Sequence, residues 1–203
     1  ELLESCIAHT TEILTRFPKF KSVRDVLIRR GRAFNELKRK EYAIKDFMDY
    51  IARYPDERQT VEVRLMASDV LAEQSKHQDI LKVLKPVDVN QNLGGLEGQV
   101  AEKQALANFN VENYPEAIRK AEWLLRYDRA RGLDKEIGGH YDEVVGMVAL
   151  FYGTAFEKRL AGYSLEHAME YFRKLEGGHV FGKISHEFIM VMRSKEMQAE
   201  TLL

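Results

Sequence analysis

The sequence predicts an all-α chain of stacked antiparallel helix pairs closed by a C-terminal helix, and three observations carry that expectation. First, Arg24 to Glu57 holds two amphipathic runs, with Leu27, Gly31 and Phe34 on one face of the first and Ala43, Phe47 and Tyr50 on one face of the second. The short connector Lys38 to Glu41 joins them, and Pro55 follows. Second, equivalent positions return every 37 residues: Cys6, Ala43, Ile80 and Ala117; Thr10, Phe47, Leu84 and Ala121; Ile13, Tyr50, Val87 and Leu124; Gly31, Ser68 and Ala105; Pro18 and Pro55. Third, the chain is 45% hydrophobic and 31% charged over 203 residues with 4 prolines, which suits long helices around a sizeable core.

Taken in order, residues 1–18 read as the second helix of a half repeat whose first helix is missing, and its apolar side needs cover from upstream sequence or another chain. The chain opens on Glu1-Leu2-Leu3 inside that helix, without an initiator methionine, and is expected to be a piece of a longer protein. Pro18 to Val23 is a linking turn. Residues 24–57 form the first full pair, where small residues at Gly31 and Ala43 allow close backbone approach beside aromatic rings. The pair over 61–90 has Leu65, Ala67, Ser68 and Leu71 on its first helix and His77 to Leu84 as its second, ended by Pro86. Val87 to Gly98, with Asn90, Asn92, Gly94, Gly95 and Gly98, is either a hinge or an ordered loop capping a groove. The 37-residue register runs on across it and favours a single domain over 1–203.

The next pair spans 98–131, with Asn113-Tyr114 as its connector and Pro115 in a first helical turn, where a missing donor matters least. Arg131 to Asp142, containing Gly132, Gly138 and Gly139, breaks the register, since Ala105 and Gly153 stand 48 apart. Either a longer second helix or an inserted loop takes up the difference. The last pair covers 143–176, with Tyr152, Gly153 and Phe156 meeting Ala168, Phe172 and Leu175, a connector lengthened by Ala161 to Ser164, and Gly177-Gly178 as the stop. A capping helix over 183–200 places Ile184, Phe188, Val191 and Met192 on one stripe.

These offsets resemble the tetratricopeptide repeat, a 34-residue helix-turn-helix unit. Its large apolar, small, aromatic, small, aromatic and proline positions are filled by Leu27, Gly31, Phe34, Ala43, Phe47 and Pro55, while Arg30 stands where the family has an apolar residue. The longer period is similar to that of tetratricopeptide proteins of the bacterial cell envelope, which implies the periplasm or envelope, with the cytoplasm as the alternative. The resemblance also implies a right-handed α-solenoid whose concave wall of first helices grips an extended peptide or a partner's helix. Carried onto this chain, the wall positions are Ile28, Arg29, Arg32, Asn35 and Glu36, then Glu102, Leu106, Phe109 and Asn110, then Leu150, Thr154, Glu157 and Lys158. Chaperone-binding members clamp a terminal carboxylate with Lys, Asn and Arg. Arg29, Arg32 and Asn35 share that chemistry but depart from the clamp in spacing and residue type.

A formal net charge of -1 makes neither nucleic acid nor an acidic membrane the default partner. No apolar run approaches the roughly 18 residues of a spanning helix. Between Arg16 and Lys40, however, ten basic residues face only Asp25 and Glu36. That stretch is either a solvated basic surface or a docking face for an acidic segment, with Arg29 and Arg32 about one turn apart.

Catalytic signals are weak. The single Cys6 lacks an evident His or Asn partner and reads as a small packed residue. His179, His186 and Glu187 lack helical zinc spacing, and His140, Asp142 and Glu143 read as a helix start with an acidic first turn. The expectation is therefore a non-enzymatic scaffold without metal or cofactor that binds a protein or peptide. The alternatives are a regulatory or catalytic module with a small-ligand pocket under the 87–98 and 131–142 loops, and self-association through the uncovered N-terminal helix.

Overall fold

The structure, a computed structural model, describes residues 1–135 and 139–176. The amphipathic runs form α1 (Leu2–Arg16), α2 (Val23–Glu36), α3 (Lys40–Arg53), α4 (Thr60–Ala72), α5 (His77–Leu84), α6 (Glu97–Asn110), α7 (Tyr114–Ala130), α8 (His140–Glu157) and α9 (Leu165–Glu176), with no strand among the described residues. The helix expected over 183–200 lies outside the described residues, as do His179, His186 and Glu187. No described helix is long and apolar enough to cross a membrane.

Two compact units are distinguished, Glu1–Lys103 and Gln104–Leu203, and the division falls inside α6 rather than in the turn-rich segment before it. In the first, α1 to α5 pack each against the next. Phe47 and Tyr50 of α3 and Leu84 of α5 are fully enclosed there, each stabilising by about 1.5–3 kcal/mol. Gly31 explains the closeness of α2 and α3, because a Cβ on it would lie 2.6 Å from Cε1 of Phe47. In the second unit, Ala105, Ala117, Ala121 and Ala155 let helices approach around Tyr114, Ile118, Val148 and Phe151.

The connectors share one geometry. Lys38, Ser75, Glu112 and Arg159 all take the left-handed conformation, with φ of 59°, 55°, 62° and 56°. Each lies just beyond a helix, two residues past its end, or three for Ser75, and the amide after it reaches back to a carbonyl five residues earlier: Arg39 to Phe34 at 2.8 Å, Lys76 to Leu71 at 3.0 Å, Asn113 to Asn108 at 2.9 Å and Leu160 to Ala155 at 3.1 Å. This pattern satisfies carbonyls a helix end leaves open and turns the chain sharply. The first three residues stand 37 apart and the fourth comes 47 later. Both sequence alternatives contribute to that longer step: α7 runs to 17 residues against 14 in α3, and a 3-10 turn, Leu133–Lys135, follows it.

Three further expectations meet a physical reason or a correction. Lys85 and Pro86 follow the last residue of α5, as a proline that disfavours helix before it requires. Val87 and Val89 are buried, and the Asp88 carboxylate accepts from the Asn90 backbone amide at 3.0 Å, so the turn-rich segment is an ordered loop. Cys6 is only partly buried rather than fully packed, and Leu2, Phe17 and Phe20, in and just after α1, are 86%, 61% and 52% exposed.

Candidate partner-binding surface

Arg30 decides how α2 presents its charge. Its guanidinium grips Asp46 of α3 with two bonds, Nε to Oδ2 at 2.8 Å and Nη2 to Oδ1 at 2.7 Å, and donates to Oγ1 of Thr11 on α1 at 3.1 Å. The Asp46 side chain is 2% exposed, so the residue at a family apolar position is one half of a buried, bidentate ion pair joining three helices. Sequence reasoning noted Arg30 as a departure and missed its partner, although an aspartate between Ala43 and Phe47 on a buried face was a readable signal.

The rest of the basic stretch divides in two. Arg16 pairs with Glu12, Arg24 with Glu57, Arg39 with Glu4 and Lys40 with Glu73. Lys19, Lys21, Arg29 and Arg32 have no carboxylate partner among the described residues, and Lys38 acts on Glu73 through its charge without an ion pair. Of these, Arg29 and Arg32 stand on the same helix at i and i+3 and are exposed. Arg32 donates from Nε to the sulfur of Met66 at 3.3 Å, a weak acceptor that leaves its charge uncompensated.

Beside Arg32 lies a small recess of about 130 Å³ lined by Asn35, Glu36, Phe47, Met66 and Asp69 as well. The Asn35 carbonyl oxygen is enclosed and meets no donor. Arg32, Asn35 and Glu36 are thus brought together on α2, with Arg29 one turn earlier. Ile28 is not part of this surface: at 4% exposure it packs into the core and offers a partner nothing to touch. A helix face that buries Val26, Leu27 and Ile28 in succession leaves only Arg29 and Arg32 outward between Asp25 and Asn35.

The later expected positions are mixed. Glu102, on the first unit, is partly buried. In the second unit Leu106 is 40% exposed, and the Asn110 side chain donates to its carbonyl at 2.8 Å. Phe109 instead stacks on Phe151 at 4.3 Å and meets Tyr114 edge-on at 5.5 Å, so its ring packs in the core. Thr154 donates to the Leu150 carbonyl at 2.9 Å, and Lys158 pairs with Glu112 at 3.7 Å.

Polar chemistry in this unit gathers on Glu122, whose Oε1 accepts from Tyr152 at 2.7 Å and Tyr171 at 3.3 Å. Burial, with the carboxylate beside it, pushes the Tyr171 hydroxyl up to about 12 and the Tyr152 hydroxyl higher still. His140, at the start of α8, bonds through Nδ1 to the buried Asp128 at 2.8 Å, tying α8 to α7.

Comparison with known proteins bears on the architecture. No family model and no curated protein matches the sequence. Among solved structures, the chain is similar to the crystal structure of MamA, with a TM-score of 0.61 over 87% of this chain and 88% of that chain. The fold is tetratricopeptide-like. At 14% sequence identity the likeness is one of fold alone.

Proposed function

We propose that the chain is a non-catalytic, polypeptide-binding scaffold, and that the exposed face of α2 docks an acidic segment of its partner. The observation that carries this reading is the sorting of the basic stretch: half of it is neutralised by carboxylates of the chain itself, whereas Arg29 and Arg32 project without one. Two guanidiniums one turn apart can each hold a carboxylate through charge-assisted, bidentate bonds. Leu106 on α6 and Thr154 on α8 are the further contact positions proposed on the second unit, and Glu102 on the first.

The helix pairs support the scaffold role, because such pairs present surface without converging catalytic groups. The 37-residue step between left-handed turns supports a repeat of that period, and with it the likeness to envelope assemblies. Selection of random displayed peptides on the whole chain tests the reading. Enriched peptides should be acidic and should lose binding to Arg29→Glu/Arg32→Glu while that variant keeps its helical content; enrichment without charge preference would refute the acidic docking face. A second reading, self-association through α1, is favoured by exposed Leu2, Phe17 and Phe20, and predicts a sedimentation coefficient that rises with concentration.

A further inference from the structure

A second pair of arginines stands away from the α2 face, in a pocket beneath the ordered loop. The pocket measures about 380 Å³, and its wall comes from the α3–α4 connector, the first turns of α4 and the segment from Pro86 to Leu93. Arg58 and Arg64 both line it, and neither has a carboxylate partner among the described residues. Arg64 is partly buried, and its guanidinium makes one hydrogen bond among the described residues, from Nη1 to the Val83 carbonyl at 2.5 Å. A guanidinium carries five donors, so most of those on Arg64 meet no acceptor of the chain and are left to the pocket. Burial accordingly pushes the Arg64 pKa down.

The acidic residues on the same wall are largely engaged elsewhere. Glu57 accepts from Arg24 at 3.4 Å and from the Tyr50 hydroxyl at 3.3 Å, and Asp88 holds Asn90 through both its backbone and side-chain nitrogens. Asp56 is exposed and keeps its charge unpaired. The loop is braced by its own side chains: Asn92 accepts from the Gly94 amide at 2.9 Å, and Glu97 accepts from the Leu93 amide at 2.8 Å. Gly94, at φ 71°, brings bare backbone against Arg58, where a Cβ would fall 2.8 Å from its Nη2. The bare backbone at Gly94 therefore leaves room for the Arg58 guanidinium beside the loop.

We infer that this pocket is a binding site for a small oxyanion-bearing ligand, its carboxylate or phosphate held between Arg58 and Arg64. The volume falls within the range of small-molecule sites and exceeds what a single acidic side chain fills. The two residues present forked donors to planar or tetrahedral oxygens, the geometry at which arginine surpasses lysine. The site is independent of the α2 docking face, from which it differs in residues and in ligand class.

Calorimetric titration of the whole chain at low ionic strength, with inorganic phosphate in one arm and succinate in the other, tests this. Saturable one-to-one binding in either arm is expected, and the arm that responds assigns phosphate or carboxylate as the recognised group. Arg58→Gln and Arg64→Gln should each weaken it about tenfold or more, whereas Lys19→Gln/Lys21→Gln, which removes as much charge from an exposed turn away from the pocket, should leave it unchanged. Arg58 is exposed, so its variant decides the matter should Arg64→Gln unfold. No heat in either arm, or equal loss in the Lys19/Lys21 variant, would overturn the assignment while leaving the peptide-docking face untouched.

Discussion

The buried pair of Arg30 and Asp46 is the residue on which the first unit is most exposed to damage. Arg30→Met leaves a carboxylate enclosed at 2% exposure without its cation, and should cost about 3–5 kcal/mol. Replacing both residues by leucine should recover most of that loss, since an apolar pair of similar volume has no charge to desolvate. Denaturant unfolding of the two variants measures the difference. Gly31→Leu should cost on the order of 1–3 kcal/mol, because a side chain there collides with the Phe47 ring; unchanged thermal stability would contradict the packing of α2 on α3. Much of this was legible in the sequence: Gly31 and Phe47 were assigned to one interface by their spacing alone. Ile28 was misplaced because periodicity places residues around a helix only to within a fraction of a turn, and the buried arc of α2 is wider than a two-residue stripe.

At the scale of the element, the turns hold the helix pairs in place. Left-handed backbone costs a non-glycine residue about 1–2 kcal/mol, partly offset by the entropy a glycine loses on folding. Lys38→Gly and Glu112→Gly should therefore stabilise by about 0.5–1 kcal/mol each, read as a raised melting temperature. Destabilisation would mean that the side chains, rather than the bonds from Arg39 to Phe34 and Asn113 to Asn108, hold the turns. The sequence marked these connectors by position but not by conformation, since lysine, glutamate and arginine are not turn formers by composition and none of the four residues favours left-handed backbone as glycine or asparagine does. The loop after Pro86 was legible as turn-rich, but whether it was ordered was not. Its order comes from contacts of Asp88, Asn92 and Glu97 with amides two to four residues away, which turn composition alone does not specify.

Across the whole molecule, tyrosine ionisation links the fold to alkaline pH. In the first unit, burial and the neighbouring Glu57 push the Tyr50 hydroxyl from 10.0 up to about 12, as burial and Glu122 do for Tyr171 in the second. A raised folded-state value means that the stability these groups contribute is complete below pH ~10, the unfolded value, and is lost as pH climbs through about 12. Tyrosinate absorbance and helical circular dichroism should therefore change together between those limits, and ionisation complete near pH ~10 with the helices intact would contradict it. The architecture itself was legible because helix-pair packing repeats its demands at fixed intervals, whereas a binding face needs no periodic signal. The sequence therefore located the basic stretch but could not tell neutralised from free arginines.

Quantitative affinity capture, comparing the parent chain with Arg29→Glu/Arg32→Glu from the same lysate, tests the scaffold reading most directly. A discrete set of polypeptides bearing acidic segments should be retained by the parent and lost from the variant, with both proteins equally folded. Identical retained sets from the two baits, or none from either, would contradict it.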